Sequence, residues 1–389
     1  MTSKARFRLL VVSHAADGTG APISTLALCR AWAARGDVDL RILLRRDGPL
    51  RAQFEAAAPT YVWRPQRGDF GLIDAAVLTI RGDPMLALKG LRNPDRPYVM
   101  SRKENRAAIA TGEALREFDP GAIYVSTTHC GDAIAPMRLG APILTHVREM
   151  AGVISALDET RRTFALQQSA AFACVSQPVV TALTQRWNIA PDRMTIEPPA
   201  IELHRVMTDV RAEIELPEQP YIVGVGSLTL RKGPDIFLEL AARAQKRDLP
   251  HRFVWLGDGE MWTVLQGATE KMGLTERIDW RGQVDNPYPY LKQAAVLALT
   301  SREDPHPRTM IEAAALGTPT IAFEGAGGAD RFLTEYTAGT LAAMDDTDAF
   351  LDALVAAKDM RVETAAIHAA FDVAHSAARL LEQLKGLAA

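Results

Sequence analysis

The sequence predicts an α/β protein built as two successive halves, each alternating apolar strands with helices. Three observations carry that reading. A strand, loop, helix, strand order opens the chain; a second series of the same kind starts at Tyr221; and 389 residues, 48% of them hydrophobic, supply enough core for two domains of ordinary size.

Phe7 to Ser13 is a nearly unbroken apolar run, the pattern of a strand buried on both faces. The loop His14 to Ala21 is rich in small residues, Pro22 suits the first turn of a helix, and that helix ends before Gly36. Asp39 to Leu44 supplies the next strand, so this βαβ unit implies parallel pairing with a right-handed crossover. Ala122 to Ser126, Ile143 to Val147 and Ala171 to Ser176 read as later strands whose C-terminal ends line one crevice. From Val206 to Pro220 the chain carries charges and two prolines with little apolar periodicity, which marks a linker. The expected division is an N-terminal domain over 1–205, a linker over 206–220 and a C-terminal domain over 221–370. In the second domain Tyr221 to Gly226, Phe253 to Leu256, Ala295 to Thr300 and Ile321 to Phe323 read as strands, with helices at Pro234 to Lys246 and Trp262 to Met272. The tail 371–389 is expected to form a helix from about Val373 to Leu387 with Ala377, Leu380, Leu381 and Leu384 at helical spacing. That helix should pack near the domain junction and could cross back to the first domain.

Composition narrows the function. A net charge of −3 argues against a dedicated nucleic-acid binder. Cys29, Cys130 and Cys174 are odd in number and lack paired metal-ligand spacing, which points to reduced thiols in a cytoplasmic protein and to no metal site. There is no signal-peptide apolar segment and no apolar run long enough to span a bilayer. Basic residues gather in the first half at Arg41, Arg45, Arg46, Arg51, Arg92, Arg96, Arg102, Lys103 and Arg106. Such a face could rest on anionic lipid at the inner side of a membrane, or be a solvated surface, since Asp47, Asp95 and Glu104 interrupt it.

The segment 301–319 carries the most chemistry. Asp304 stands eight residues before Glu312 across a loop-to-helix junction, Pro305 and Pro307 stiffen the loop, and Gly317 stops the helix. Free N–H groups near Pro307, Arg308 and Thr309 would face a phosphate at the positive end of that helix, with an acid on either side to grip hydroxyls. Arg231 and Lys232, in Gly226-Ser-Leu-Thr-Leu-Arg-Lys-Gly233, lie between a strand and a helix, where cations could neutralise a diphosphate leaving group. Gly18-Thr-Gly20 also lies between a strand and a helix, but Ile23 fills the third small position and no acid closes the second strand. A dinucleotide site is therefore disfavoured against a tight loop near a diphosphate or acceptor, or a plain βα turn. Gly224-Val-Gly226 carries the same ambiguity. His146 and Glu149 follow a strand and are candidates to shape the acceptor side or orient its loop.

On these motifs the chain resembles a family-4-type retaining glycosyltransferase, a group 1 glycosyl transferase of the GT-B fold with two Rossmann-like domains facing across a cleft. The matching pieces are the His14 to Pro22 loop, Ile143 to Glu149, Cys174-Val-Ser176, Val225 to Gly233, Leu256-Gly-Asp-Gly259, Arg281-Gly-Gln-Val284 and Ser301 to Pro319. The resemblance implies that Asp304 is the first acid of the E-x7-E motif and contacts donor-sugar hydroxyls, that Glu312 holds the ribose, and that Lys232 binds the diphosphate. It further implies donor contacts from Gly20, Gly226, Gly257, Val284 and the backbone of Pro307, Arg308 and Thr309, and a histidine beside the donor sugar at His129. Asp304 is one methylene shorter than the usual Glu, and Ser227 stands where an arginine is common, so Arg231 is the candidate to compensate.

The function implied is metal-independent, cofactor-free transfer of a hexose from a nucleoside-diphosphate sugar to a hydroxyl of a saccharide or lipid-linked acceptor in polysaccharide or glycan assembly, with retained anomeric configuration. The altered acid and missing arginine keep a non-catalytic glycosyltransferase-like binding subunit as an alternative, and an NAD-dependent oxidoreductase as a weaker one.

Overall fold

The computed structural model describes residues 5–63, 102–357 and 360–389. Two sheets organise them. The first has the order β3-β2-β1-β4-β5-β6-β7, built from Phe7–Ser13 (β1), Val38–Leu44 (β2), Thr60–Val62 (β3), Ala122–Val125 (β4), Ile143–Val147 (β5), Ala171–Cys174 (β6) and Met194–Ile196 (β7). The second has the order β10-β9-β8-β11-β12-β13, from Tyr221–Val225 (β8), Arg252–Leu256 (β9), Ile278–Gly282 (β10), Val296–Leu299 (β11), Thr320–Phe323 (β12) and Gly339–Ala342 (β13).

The parallel register follows from the helices between successive strands. β1 pairs β2 with Phe7 opposite Val38 and β4 with Leu9 opposite Ala122, while β8 pairs β9 with Ile222 opposite Phe253 and β11 with Val296 opposite Ile222. Both sheets thus reverse their direction of winding beside the first strand laid down. Such a switch point splays apart the loops leaving its two strands and opens a crevice at their C-terminal ends. In the first sheet those loops follow β1 and β4; in the second they follow β8 and β11.

The chain divides into two compact units. One comprises Met1–His146, Leu157–Phe172 and Leu380–Ala389; the other comprises Val147–Ala156 and Ala173–Arg379. Residues 147–156 and 173–205, expected in the first domain, group with the second unit, and the last helix, Val373–Ala388, gives residues to both. Ser376 and Arg379 hold the start of that helix through the buried Glu197, at 2.7 Å and at 2.6 and 3.0 Å respectively. The expected linker begins inside a helix, Leu203–Asp209, whose Val206 is fully buried among Ile201, Tyr221 and Leu291.

Packing explains why the helices stay on the sheets. The helix Pro234–Lys246 carries Phe237, Leu240, Ala241 and Ala244 at helical spacing, all fully buried. Phe237 meets Phe253 and Trp255 edge-on, with ring centroids 5.3 and 5.1 Å apart. Fully burying such a ring contributes about 1.5–3 kcal/mol. The helix start is fixed by Pro234 at the first turn and by Gly233 before it, whose φ of +67° is left-handed. A Cβ at Gly233 would lie 2.0 Å from the Thr300 carbonyl oxygen, so the loop after β8 can touch the end of β11 only with glycine there.

Candidate active site

The switch point of the second sheet gathers the predicted residues. β8 ends at Val225, and Gly226 takes a hydrogen bond from the Trp255 indole at 2.9 Å while donating its own N–H to the Leu256 carbonyl at 3.0 Å. Gly257 continues that rim, donating to the Gly282 carbonyl at 2.8 Å. Gly226, Gly257 and the loop to Val284 therefore form one ledge at the ends of β8, β9 and β10. Ser227 is exposed on it, and Val284 packs partly into the core below. Asn286 ties this loop to the helix Leu203–Asp209 by donating to the Asp209 carbonyl at 2.7 Å.

From β11 comes the acid loop. Asp304 is 6% exposed and its backbone is held from both sides: its N–H donates to the Ala326 carbonyl at 2.8 Å, and its own carbonyl accepts from the Gly328 N–H at 3.1 Å. Its carboxylate forms an ion pair with the Lys232 ammonium, the two side chains being 8% and 19% exposed. Residues 72 apart in sequence thus meet because β8 and β11 are neighbours. Arg231 does something different. Its Nη1 donates to the Glu303 carbonyl at 2.8 Å, and its own carbonyl accepts from the Arg302 N–H at 2.9 Å, while Arg302 makes a bidentate pair with Asp235 at 2.6 and 2.8 Å. Arg231 and Arg302 stitch the two loops together.

The helix Arg308–Ala315 begins after Pro307 and ends before Gly317, whose φ is +86°. Glu312, on its inner face, is 5% exposed, forms an ion pair with Arg308 Nη2 at 2.9 Å and accepts from the Tyr288 hydroxyl at 3.3 Å. Burial raises its pKa above the ordinary carboxylate value, against the opposing pull of Arg308, the Tyr288 bond and Arg205. His306, which sequence reasoning missed, is partly buried and lies edge-on to Phe332 and tilted to Phe371, with ring centroids at 5.9 and 6.5 Å. Burial pushes its pKa down to about 4 despite the nearby Asp304, and its Nδ1 has no hydrogen-bond partner. Only its place between Asp304 and Pro307 could have drawn attention to it.

The remaining predicted residues lie elsewhere. In the first unit, His129 sits in the short turn after β4, its ring 6.3 Å from that of His14 after β1, so the switch point of the first sheet brings two imidazoles together. Gly20 opens the helix Gly20–Ala33 with open space where a Cβ would stand, so no close backbone approach requires glycine there. His146 is 1% exposed, its Nδ1 2.7 Å from the Tyr124 hydroxyl, and this burial leaves the acceptor-side expectation almost no accessible surface on that ring. Glu149, in the second unit, is 8% exposed and accepts from the Arg148 N–H at 3.0 Å. Of the basic residues, Arg45 is 3% exposed, Arg41 pairs with Asp39 at 2.6 Å and Arg51 with Glu55 at 2.7 Å. Arg92 and Arg96 lie outside the described residues. Among the described residues no three His, Cys, Asp or Glu side chains are grouped to hold a metal ion, and no helix is long and apolar enough to cross a membrane.

Residues 219–359 match the family model described as glycosyl transferases group 1. The lipopolysaccharide core biosynthesis glycosyltransferase LpsE of Rhizobium meliloti is 27% identical over 166 residues, which are 41% of this chain and 47% of that protein. A Campylobacter jejuni protein named as an N-acetylgalactosaminyltransferase acting on a diphospho-undecaprenol saccharide is 25% identical over 172 residues, 44% of this chain and 46% of its own. The chain thus spans about half the length of these relatives, or less. Across nearly its whole length it superposes on HepE of Anabaena, crystallised with UDP and glucose, with a TM-score of 0.69 at 16% identity, covering 98% of this chain and 100% of the other. The two parallel sheets are those of the GT-B architecture.

Proposed function

On the match of residues 219–359 to the group 1 glycosyl transferase model, we propose that the chain moves a hexose from a nucleoside-diphosphate sugar to a hydroxyl of a saccharide or lipid-linked acceptor in cell-surface glycan assembly. The observation that carries the reading is the meeting of Lys232, Asp304 and the Arg308–Ala315 helix at the switch point between β8 and β11. There a diphosphate finds an ammonium and free helix N–H groups, and hydroxyls find two buried carboxylates.

In this mechanism Glu312 accepts from the ribose hydroxyls and Asp304 from those of the sugar. Lys232 and the helix N-terminus stabilise the negative charge that develops as the bond from the anomeric carbon to the phosphate oxygen breaks. The acceptor hydroxyl attacks from the face the diphosphate leaves, passing its proton to the departing phosphate oxygen, so configuration is retained without an enzyme nucleophile. No metal or cofactor is required, because the protein's own cations meet the diphosphate. His129, in the first unit, remains a proposed catalytic residue, and Glu149 a proposed residue of the acceptor side. A lipid-linked acceptor, as in the name of the Campylobacter relative, would place the reaction at the cytoplasmic face of a membrane.

The test is a panel of UDP-, GDP-, ADP- and TDP-sugars, read by nucleoside-diphosphate release and thermal shift, with NAD as control. One donor should stabilise the protein and turn over with a saccharide or lipid-linked acceptor, and the anomeric configuration of the product reads retention directly. Stabilisation by NAD alone would sink the proposal, and donor binding without turnover across suitable acceptors would make the chain a binding subunit.

A further inference from the structure

We propose that the Arg308 side chain is the second diphosphate-binding cation of this site, releasing Glu312 to the ribose and taking a phosphate in exchange. The inference rests on the donor reading above and adds to it a side chain for which the helix start alone gives no role.

Arg308 opens its helix, and four residues on lies Glu312. Nothing about that spacing forces the guanidinium inward, yet it lies 2.9 Å from Glu312 Oε1 with only 11% of the side chain exposed. Its Nε is buried without a hydrogen-bond partner. A surface i,i+4 pair would leave its spare donors in water; here a donor is withdrawn from water and left unused, which an anion at the helix start would correct. The expected substitute for the missing phosphate-loop arginine is otherwise occupied, since Arg231 is committed to the Glu303 carbonyl and Ser227 carries no charge.

The charges then balance on one rim. Lys232 neutralises Asp304, and Arg308 neutralises Glu312. When a nucleoside-diphosphate sugar binds, each cation can trade its carboxylate for a phosphate while each carboxylate takes hydroxyl donors in place of its cation, so every buried charged group keeps a polar partner. A donor with a single phosphate would leave one cation without an anion. The exchange therefore selects diphosphate-linked donors over monophosphate-linked ones.

Calorimetric titration of the full chain with UDP, GDP, ADP and TDP, each beside its own nucleoside, tests this in the wild type, Arg308→Gln and Arg308→Lys. For the base that binds, Arg308→Gln should weaken the diphosphate about 10- to 100-fold, the range for hydrogen bonds to charged groups, while the nucleoside binds as well or better because a competitor for Glu312 is gone. Arg308→Lys, which keeps the charge and the counter-ion but not the fork, should recover part of the loss, and it reads the same ratio should the Gln variant not fold. If Arg308→Gln weakens nucleoside and diphosphate alike, or tightens both, Arg308 is only the counter-ion of Glu312 and the inference falls while the donor site stands. If the wild type binds none of the diphosphates, both fall.

Discussion

Lys232 and Asp304 are separable by a double-mutant cycle whose stability and binding arms should disagree. The pair is largely out of water, at 19% and 8% side-chain exposure. Lys232→Met leaves the better buried partner, a carboxylate, without its cation, and breaking such a pair costs about 3 kcal/mol, the lower end of the range for buried pairs because the lysine keeps some solvent. Asp304→Asn leaves the ammonium, which can turn toward water, so its cost is about 1–2 kcal/mol. The double variant removes both charges and should be less unfolded by urea than the sum of the singles, by about 1–3 kcal/mol of coupling. The assay is urea unfolding followed by tryptophan fluorescence, with hydrogen exchange at β8 and β11 amides to assign the transition to the second unit. On the roles proposed for them, with Lys232 meeting phosphate and Asp304 meeting hydroxyls, donor binding should not recover in the double variant. Strict additivity of the two stability losses would refute the reasoning, because it would mean that the two groups do not share a desolvated contact.

Two further perturbations test the surroundings of that pair. His306 is held neutral by burial, its pKa lowered from 6.5 to about 4, so the unfolded chain binds the extra proton in that interval. Stability should rise with pH from 4 to 6.5 and lose up to about 3 kcal/mol as pH falls through that window. Thermal melts of His306→Phe should show a flatter profile there, and an unchanged slope would remove His306 as its source. Gly233→Ala places a Cβ 2.0 Å from the Thr300 carbonyl oxygen at a φ of +67°, and it should destabilise by more than about 2 kcal/mol, the left-handed backbone alone costing about 1–2. A loss under about 0.5 kcal/mol, the scale of an ordinary surface change, would show that the loops after β8 and β11 are not held together by this contact.

What was legible in the sequence divides along the sheets. Every interior strand, β2, β1, β4, β5 and β6 in the first sheet and β9, β8, β11 and β12 in the second, was expected as a strand from its mainly apolar sequence. The strands at the edges of the two sheets among the described residues, β3, β7, β10 and β13, were not. An edge strand is paired along one side only, so its sequence need not be continuously apolar, as Met194-Thr-Ile196 with two exposed residues illustrates. The expected linker overlaps a helix, Leu203–Asp209, that little apolar periodicity announced, because Val206 and Leu203 are enough to seat it on the core while its other residues are mostly polar. At the site, spacing brought out Lys232, Asp304 and Glu312, because strand order makes their loops neighbours. It could not reveal that Arg308 turns inward, that Arg231 stitches loops, that His146 is buried against Tyr124, or that His306 packs against Phe332. Those directions are decided by Glu312, Glu303, Tyr124 and Phe332, partners at distances that no local pattern encodes.

On the role proposed for Asp304, its clamping by Ala326 and Gly328 bears on attempts to redesign sugar choice. With Gly327 pressed so close that a Cβ there would lie 1.8 Å from the Asp304 carbonyl oxygen, the main chain at this position has no room to retreat. Lengthening the acid to glutamate would therefore drive the extra methylene toward Lys232 rather than be absorbed by the loop. A directed-evolution library that varies residue 304 alone explores a narrow set of outcomes; one that varies 232 and 304 together samples the site as the backbone has built it, as a single two-residue unit.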